Sequence, residues 1–199
     1  MSIVRLRDGA LFLHSPVGLD TSLRDALSGL GQPRAAVAPN RFHHLFIGDY
    51  RESFPGIQLF AAPGLPEKRR DLVFDGVLGD DPPPAWAGEI DQAFVGGYPI
   101  ANEVAFCHRA SRTLLLSDLA FNYGPAAPLL TRLAFRLVGS AGFGPSLLER
   151  VLVRDRAAAR RALEKILSWD FDRVVIAHGD ILESGGRDAL RAGYAWLLR

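Results

Sequence analysis

The sequence predicts an α/β (α+β) fold in which two mixed β-sheets are flanked by helices. Strand-like runs occur as a hairpin near the start and as a meander in the middle of the chain, while helical patterns lie between and after them. With 48% hydrophobic residues, the chain has ample material for a core. Periodicity alone also permits one ordinary mixed α/β sheet, so the number of sheets stays open at this level.

The first third of the chain is predicted to alternate strands with short helices. Asp8-Gly9 suits the positive φ angles of a tight turn, which makes the flanking runs a β-hairpin. Asp20 is a suitable N-cap for the first helix. The predicted elements are strands over 3–6 and 10–14, a helix to about 27, a strand over 35–38, a helix-like segment from about 43 to 52, and a strand over 57–61.

The rest of the chain is predicted to contain a loop, a strand meander and two final helices. Three consecutive prolines, Pro82 to Pro84, prevent regular hydrogen bonding and predict a surface loop over 79–88. The segment from Pro125 to Phe143 is apolar with helical spacing, and is either a mobile cover or a packed helix. The other predicted elements are strands over 90–95, 103–108 and 113–117, a helix over 154–167, a strand over 173–177, and a helix over 187–198.

Composition and charge narrow the classes of function. The 199 residues fit a single domain over 1–199, and 23 basic against 22 acidic residues give a net charge of +1. This balance does not favour a nucleic-acid or membrane partner, and a small-molecule substrate or ligand is expected; the oligomeric state stays open. No apolar run reaches the roughly 20 residues that span a bilayer, no signal peptide is recognisable, and the lone Cys107 cannot form an intramolecular disulfide. We therefore expect a cytoplasmic protein.

Three histidines directly follow predicted strands, where loops held by a rigid sheet can present them. They are His43, His44 and His178, and Asp118 is the matching carboxylate. Imidazoles with one carboxylate form a ligand set suited to zinc or iron. Spacing alone, however, favours histidines that cap or hydrogen-bond their loops, and an aspartate that caps a turn. We expect mainly structural roles for His14, His108 and Asn102-Glu103. For Asn102-Glu103, the alternative is that they form hydrogen bonds near a pocket.

Four segments, taken in order, resemble the metallo-β-lactamase superfamily. They are Ala38-Pro39-Asn40-Arg41-Phe42-His43-His44, Gly96-Gly97-Tyr98-Pro99, the run 113–119 ending in Ser117-Asp118-Leu119, and the run 174–179 ending in Ala177-His178-Gly179. Segments 13–17, 38–46 and 102–118 resemble more closely an uncharacterised bacterial branch, the DUF4336 domain. The similarity covers essentially the whole chain. It implies a four-layer αββα sandwich with a metal site at one edge of the paired sheets.

The resemblance implies that one of the family's two metal sites is lost. When the motif Thr-His-x-His-x-Asp-His is laid over residues 38–44, its first two histidines fall on Pro39 and Arg41. A third histidine of the same site falls on Tyr98. Proline offers no side-chain ligand and a guanidinium is a permanent cation, so the first site is expected to be degenerate.

The resemblance also implies that the second site persists. His44, Asp118 and His178 match its ligands and His43 replaces an aspartate, so these four residues are the expected ligands of one zinc or iron ion. Asp118 and Arg41 are the expected catalytic residues. Asp118 orients a water activated by the ion, and Arg41 points into the pocket and supplies the charge of the missing ion.

Two functions follow from this resemblance. The first is a metal-dependent hydrolase with a degenerate, mononuclear site that acts on a small ester, amide or phosphodiester. The alternative is a non-catalytic ligand-binding or interaction module that kept the fold, lost the binuclear site and holds no metal.

Overall fold

The first half of the chain forms a five-stranded sheet with strand order β1-β2-β3-β4-β5. The structure is a computed structural model that describes residues 1–124, 128, 130 and 142–199. Strands β1 and β2 are antiparallel, and the other neighbours in this sheet are parallel. Its elements are β1 Ser2–Arg5, β2 Leu11–His14, α1 Thr21–Leu30, β3 Pro33–Ala38, α2 Asp49–Ser53, β4 Gln58–Ala61, α3 Leu65–Lys68 and β5 Gly76–Val77.

The second half forms a four-stranded sheet with strand order β6-β7-β8-β9. Strands β6 to β8 are an antiparallel meander, and β9 adds to β8 in parallel. The elements are β6 Ile90–Phe94, β7 Val104–His108, β8 Thr113–Leu115, α4 Leu147–Leu152, α5 Arg156–Ser168, β9 Arg173–Val175, α6 Gly186–Gly193 and α7 Ala195–Leu198. Two mixed sheets with helices confirm the predicted fold class. The prediction for Pro125 to Phe143 falls almost entirely on residues outside the described part of the chain.

Three apolar clusters correspond to the interfaces between layers. Side chains alternate along each strand, so β2 directs Phe12 towards the second sheet and Leu11 and Leu13 towards α1 and α2. Between the sheets, the ring centroids of Phe12 and Phe106 lie 5.4 Å apart. The outer face of the second sheet packs against Leu163 and other residues of α5, α6 and α7. The order of layers is therefore helices, sheet, sheet, helices.

The proline-rich loop differs from the prediction of a purely surface segment. Trp86 is only 1% exposed, and its ring lies between the sheets, 4.9 Å from Phe12 and 4.8 Å from Phe60 by centroid. Its indole Nε1 donates to Gln92 Oε1 at 3.0 Å, which satisfies the buried N–H. The prolines keep the loop irregular, but its tryptophan completes the core.

The helix predicted over 43–52 forms only in its last part. α2 spans Asp49–Ser53, and residues 43–48 are turns with short-range bonds such as Ile47 N–H to the His44 carbonyl at 3.4 Å. The side chains of His43 and His44 bond to distant residues, Ser15 and Arg69. These tertiary contacts override the helical spacing of the sequence.

The carboxyl ends of the central strands meet at one edge of the paired sheets. The sheets are joined there by Val104 N–H donating to the Pro39 carbonyl at 2.8 Å. On the second sheet, Leu116 N–H donates to the Val175 carbonyl at 2.9 Å, so the segments after β8 and β9 leave side by side. This edge therefore collects loops from both sheets. Within the described residues, no helix has the length and apolar character needed to cross a bilayer.

Candidate metal centre

Three side chains from distant parts of the sequence converge at this edge. His178 Nε2 lies 2.8 Å from Asp118 Oδ1, and His43 Nε2 lies 3.4 Å from the same oxygen. One ligand atom from each of the three residues lies within 4.8 Å of the other two. His43 follows β3, Asp118 follows β8 and His178 follows β9, so strand ends of both sheets build the group.

The side chain of Asn40 connects the parts of this group by hydrogen bonds. Its side-chain Nδ2 donates to Asp118 Oδ2 at 2.6 Å and to Glu103 Oε2 at 2.9 Å. Its Oδ1 accepts from the backbone N–H groups of Phe42 and His43 at 2.9 and 2.8 Å. A single fully buried amide therefore positions both the carboxylate and the loop that carries His43.

Glu103 is a buried carboxylate that fixes the backbone under Asp118. Its Oε1 accepts from Ser117 N–H and its Oε2 from Asp118 N–H, both at 2.7 Å. Burial, followed by the charge of Asp118, raises the pKa of Glu103. Burial would also raise the pKa of Asp118, but its hydrogen bonds with His178 and His43 outweigh this and lower it. Asp118 is thus the ionised partner that faces the imidazoles.

The His43 ring is oriented from its other side by Ser15. Ser15 Oγ lies 2.8 Å from His43 Nδ1, which leaves Nε2 directed at Asp118. Ser15 has φ of +55°, in the left-handed region that is unfavourable for a residue with a side chain. Burial lowers the pKa of His43, but its hydrogen bond with Asp118 and the charges of Asp118 and Glu103 raise it overall.

The structure places two of the predicted site residues elsewhere. His44 Nδ1 lies 3.0 Å from Arg69 Nη1, and because a guanidinium only donates, this bond puts the proton of a neutral His44 on Nε2. His44 borders the cleft but is absent from the convergent group. Arg41 donates from Nη1 to the Pro99 carbonyl at 2.9 Å and lines a neighbouring hollow, instead of pointing towards Asp118 as expected. The predicted ligands that meet are therefore His43, Asp118 and His178.

Sequence reasoning missed two positioning residues, Ser15 and Asn40, and gave the hydrogen-bonding role of Glu103 only as an alternative. Ser15 has no local signal, and Asn40 stands in a Pro-Asn pair that is typical of an ordinary turn. For Asn102-Glu103, position in the sequence favours turn closure over hydrogen bonds near a pocket. Glu103 at the start of the apolar run 104–107 was the best available signal, because a carboxylate next to a buried strand needs several donors.

The convergent group lies in a cleft of about 560 Å³. Phe121 stacks on the His178 ring with a centroid distance of 5.4 Å, and apolar side chains, mostly from the loops that follow strands of both sheets, form the walls. The volume and mixed character are typical of small-molecule sites. The arrangement combines nitrogen and oxygen ligands at the floor with an apolar enclosure above them.

Comparison with solved structures identifies the fold as that of the metallo-β-lactamases. The Flv1 flavodiiron core from Synechocystis sp. PCC6803, studied in a metal-soaked form, is 14% identical with a TM-score of 0.62; the alignment covers 98% of this chain and 51% of that one. The DIM-1 metallo-β-lactamase is 13% identical with a TM-score of 0.63, covering 98% and 83%. The FIM-1 metallo-β-lactamase from Pseudomonas aeruginosa, in a mono-zinc form, is 13% identical with a TM-score of 0.59, covering 98% and 80%.

These similarities establish the fold alone, because sequence identity is low. The chain spans about half the length of the flavodiiron core. No protein-family model matches the chain, and no curated protein matches it. The chain is thus a protein of the metallo-β-lactamase fold whose site must be interpreted from its own residues.

Proposed function

We propose that the protein is a metal-dependent hydrolase with one ion held by His43, Asp118 and His178. The observation that carries this proposal is the convergence of one ligand atom from each residue within 4.8 Å. Zinc or iron suits the set, because both accept imidazole nitrogen together with carboxylate oxygen. The expected substrates are small esters, amides or phosphodiesters. Closer kinship to the DUF4336 branch is part of this proposal and is supported by the segments quoted above.

The residues present fit such an ion by their chemistry and spacing. Ligand atoms bound to zinc lie roughly 2.0–2.2 Å from it, so neighbouring ligand atoms are typically about 3–3.5 Å apart. The separations of 3.4 Å and 2.8 Å from Asp118 Oδ1 to His43 Nε2 and His178 Nε2 are close to this range. Three protein ligands leave a position for water or substrate, as in catalytic zinc sites.

The chain's own groups orient the reacting components. When bound, a divalent ion supplies a Lewis acid and lowers the pKa of a coordinated water. Asn40 holds Asp118 Oδ2, which leaves Oδ1 facing both imidazoles. Ser15 fixes the His43 ring. Asp118 is the group we assign to orient the attacking water.

Metal titration of the wild type and of His178→Ala tests this proposal. We expect the wild type to bind about one zinc ion per chain and the variant to lose at least about tenfold in affinity, since one ligand of three is removed. The matched control is His108→Ala, because within the described part of the chain the side chain of His108 bonds to a near neighbour in sequence, with Nδ1 2.7 Å from Ser111 Oγ. Equal uptake by all three proteins, or uptake by none, would contradict the metal site.

A non-catalytic module is the second candidate. Among the described residues, a single group of three candidate ligands is found, and the positions Pro39 and Arg41 offer none. Absence of zinc uptake by the wild type, together with no hydrolysis of ester, amide or phosphodiester reporters, would favour this module. Hydrolysis that falls in parallel with zinc affinity in His178→Ala would favour the enzyme.

A further inference from the structure

The cleft is rich in carboxylates and apolar groups. Asp118, Glu103 and Glu149 all line it, and among its described residues there is no lysine or arginine. Its wall includes large apolar side chains that are well exposed: Phe42 is 50%, Leu45 67% and Phe46 44% exposed. The walls therefore suit an uncharged, apolar body.

A second, basic hollow adjoins the cleft and has the opposite character. Its volume is about 290 Å³, and three of its residues, Arg41, Lys68 and Arg154, are cations. Phe42 and Ile100 line both the hollow and the cleft, so they form the ridge between the two. A molecule that crosses this ridge contacts apolar groups on one side and positive charge on the other.

Two of the three cations are held close to the ridge, and the third, Arg154, lines the same hollow. Arg41 Nη1 is anchored on the Pro99 carbonyl, and Lys68 Nζ donates to the Arg41 carbonyl at 2.6 Å and lies 5.6 Å from the centroid of the Phe42 ring. None of the three forms an ion pair within the part of the chain that the structure describes, whereas many other arginines do. Arg41 Nε is buried and has no hydrogen-bond partner there.

We propose that the basic hollow is an anion subsite of the same active site, and that the substrate is an ester or amide whose apolar body ends in an anionic oxygen group. The apolar body lies in the cleft and the anionic group is bound by Arg41, Lys68 and Arg154. The inference rests on the proposed hydrolase function for the position of the scissile bond. The charge of the hollow is a local feature, because the net charge of the chain is only +1.

Two fluorescent dyes that differ by one sulfonate test the subsite directly. They are 8-anilinonaphthalene-1-sulfonate and its uncharged counterpart N-phenyl-1-naphthylamine. We expect the sulfonate to bind the wild type more tightly. Arg154→Ala should raise the ratio of the two Kd values, sulfonate over uncharged dye, about threefold, and Arg154→Glu about tenfold, as expected for exposed charge pairs. High salt should raise the ratio in the wild type.

Three further variants make the binding experiment specific. Arg5→Glu makes the same charge change at β1, on an exposed residue paired with the start of β2, and should leave the ratio within about twofold. Leu45→Asp should weaken both dyes, which places the naphthyl group in the cleft. His178→Ala should keep the sulfonate preference, which shows that the sulfonate does not bind through a metal. A ratio that is unchanged by Arg154→Glu, or changed equally by Arg5→Glu, overturns the proposal, and so does binding of neither dye.

Hydrolysis of 4-nitrophenyl hexanoate and of the mono-4-nitrophenyl ester of adipic acid separates the two proposals. If both hold, Arg154→Glu raises the ratio of KM values, acidic over neutral ester, by about the factor found for the dyes. If neither ester is hydrolysed but the dye ratio changes, the hydrolase function fails and the subsite stands. If both esters are hydrolysed and the variants change neither ratio, the subsite fails and the hydrolase stands.

Discussion

At the scale of single residues, Asn40 links more parts of the site than any ligand does. Two carboxylates accept from its Nδ2, and two backbone N–H groups donate to its Oδ1. An amide is suited to this position because it offers donors and an acceptor without charge. A carboxylate of the same shape would keep the acceptor and lose both donors.

We therefore predict that Asn40→Asp is strongly destabilising. The variant places a third carboxylate against Glu103 and Asp118, and we expect the free energy of unfolding to fall by about 3 kcal/mol or more at pH 7. Urea denaturation measures the change. The control is Asn102→Asp, which makes the same substitution at a residue whose Nδ2 donates to one partner among the described residues, the Pro63 carbonyl. Similar losses in the two variants would show that the four-way role of Asn40 has been overestimated.

Ser15 provides a second prediction at this scale, because its hydroxyl is a partner for either tautomer of His43. It donates to Nδ1 when the proton is on Nε2, and accepts from Nδ1 once Nε2 binds a metal. We expect Ser15→Ala and Ser15→Gly to lose about tenfold in zinc affinity, measured by competition with a chromogenic chelator.

The same pair of variants separates orientation of the ring from backbone strain. Glycine adopts the positive φ of Ser15 without strain and alanine does not, so Ser15→Gly should be the more stable of the two by about 1 kcal/mol. Equal zinc affinity in wild type and both variants would show that the hydroxyl does not orient His43.

At the scale of secondary structure elements, the sequence predicts the strands that alternating apolar residues define and the turns that chain-breaking residues define. The strands around Asp8-Gly9 and the meander of β6, β7 and β8 are found within a few residues of their predicted bounds. The short elements α3 and β5 were not predicted, because four and two residues carry no readable period. The final helix was predicted as one and is divided at Tyr194, whose hydroxyl bonds to the Leu119 carbonyl at 2.7 Å.

The segments around the site differ most from the secondary structure that their own sequence predicts, because contacts with distant residues determine their conformation. Residues 43–48 have helical spacing, yet the contacts of His43 with Ser15 and of His44 with Arg69 hold them as turns. Arg41, two residues before His43, was expected inside the pocket. Its guanidinium instead donates a hydrogen bond to the Pro99 carbonyl in the neighbouring hollow. The residue types of the metal group were readable from the sequence, whereas the direction of each side chain depends on partners far away in the chain.

At the scale of the whole molecule, the site is a junction between the two sheets. His43 and Asn40 belong to the first sheet's loops, and Asp118, Glu103 and His178 belong to the second sheet. An ion bound by His43 and His178 joins positions 135 residues apart in the chain. Because the unfolded chain does not hold these ligands together, binding free energy adds to the stability of the folded state.

We therefore predict that zinc stabilises the whole fold and that its effect depends on pH. At a free zinc concentration of about 100 times Kd, stability should rise by about 2.7 kcal/mol, which is seen as a higher Tm, and a chelator should reverse the rise. The pKa of His43 is raised in the folded protein, and a proton on Nε2 competes with the ion. The zinc-dependent rise in Tm should therefore be largest above that pKa and decline as pH falls through it.

Thermal unfolding with and without zinc from pH 5 to 8 measures this dependence, with His178→Ala and His108→Ala as the matched pair. The first variant removes a residue that contacts Asp118, and its loss of at least about tenfold in affinity should cut the rise in Tm to about half or less at the same zinc concentration. The second removes an imidazole outside the group and should retain the full rise. A rise that grows as the solution is acidified contradicts ligation by imidazole, because protonation removes the nitrogen lone pair that binds the ion. An undiminished rise in His178→Ala contradicts an ion bound between the two sheets by His43 and His178, since the ion would then stabilise the fold from another position.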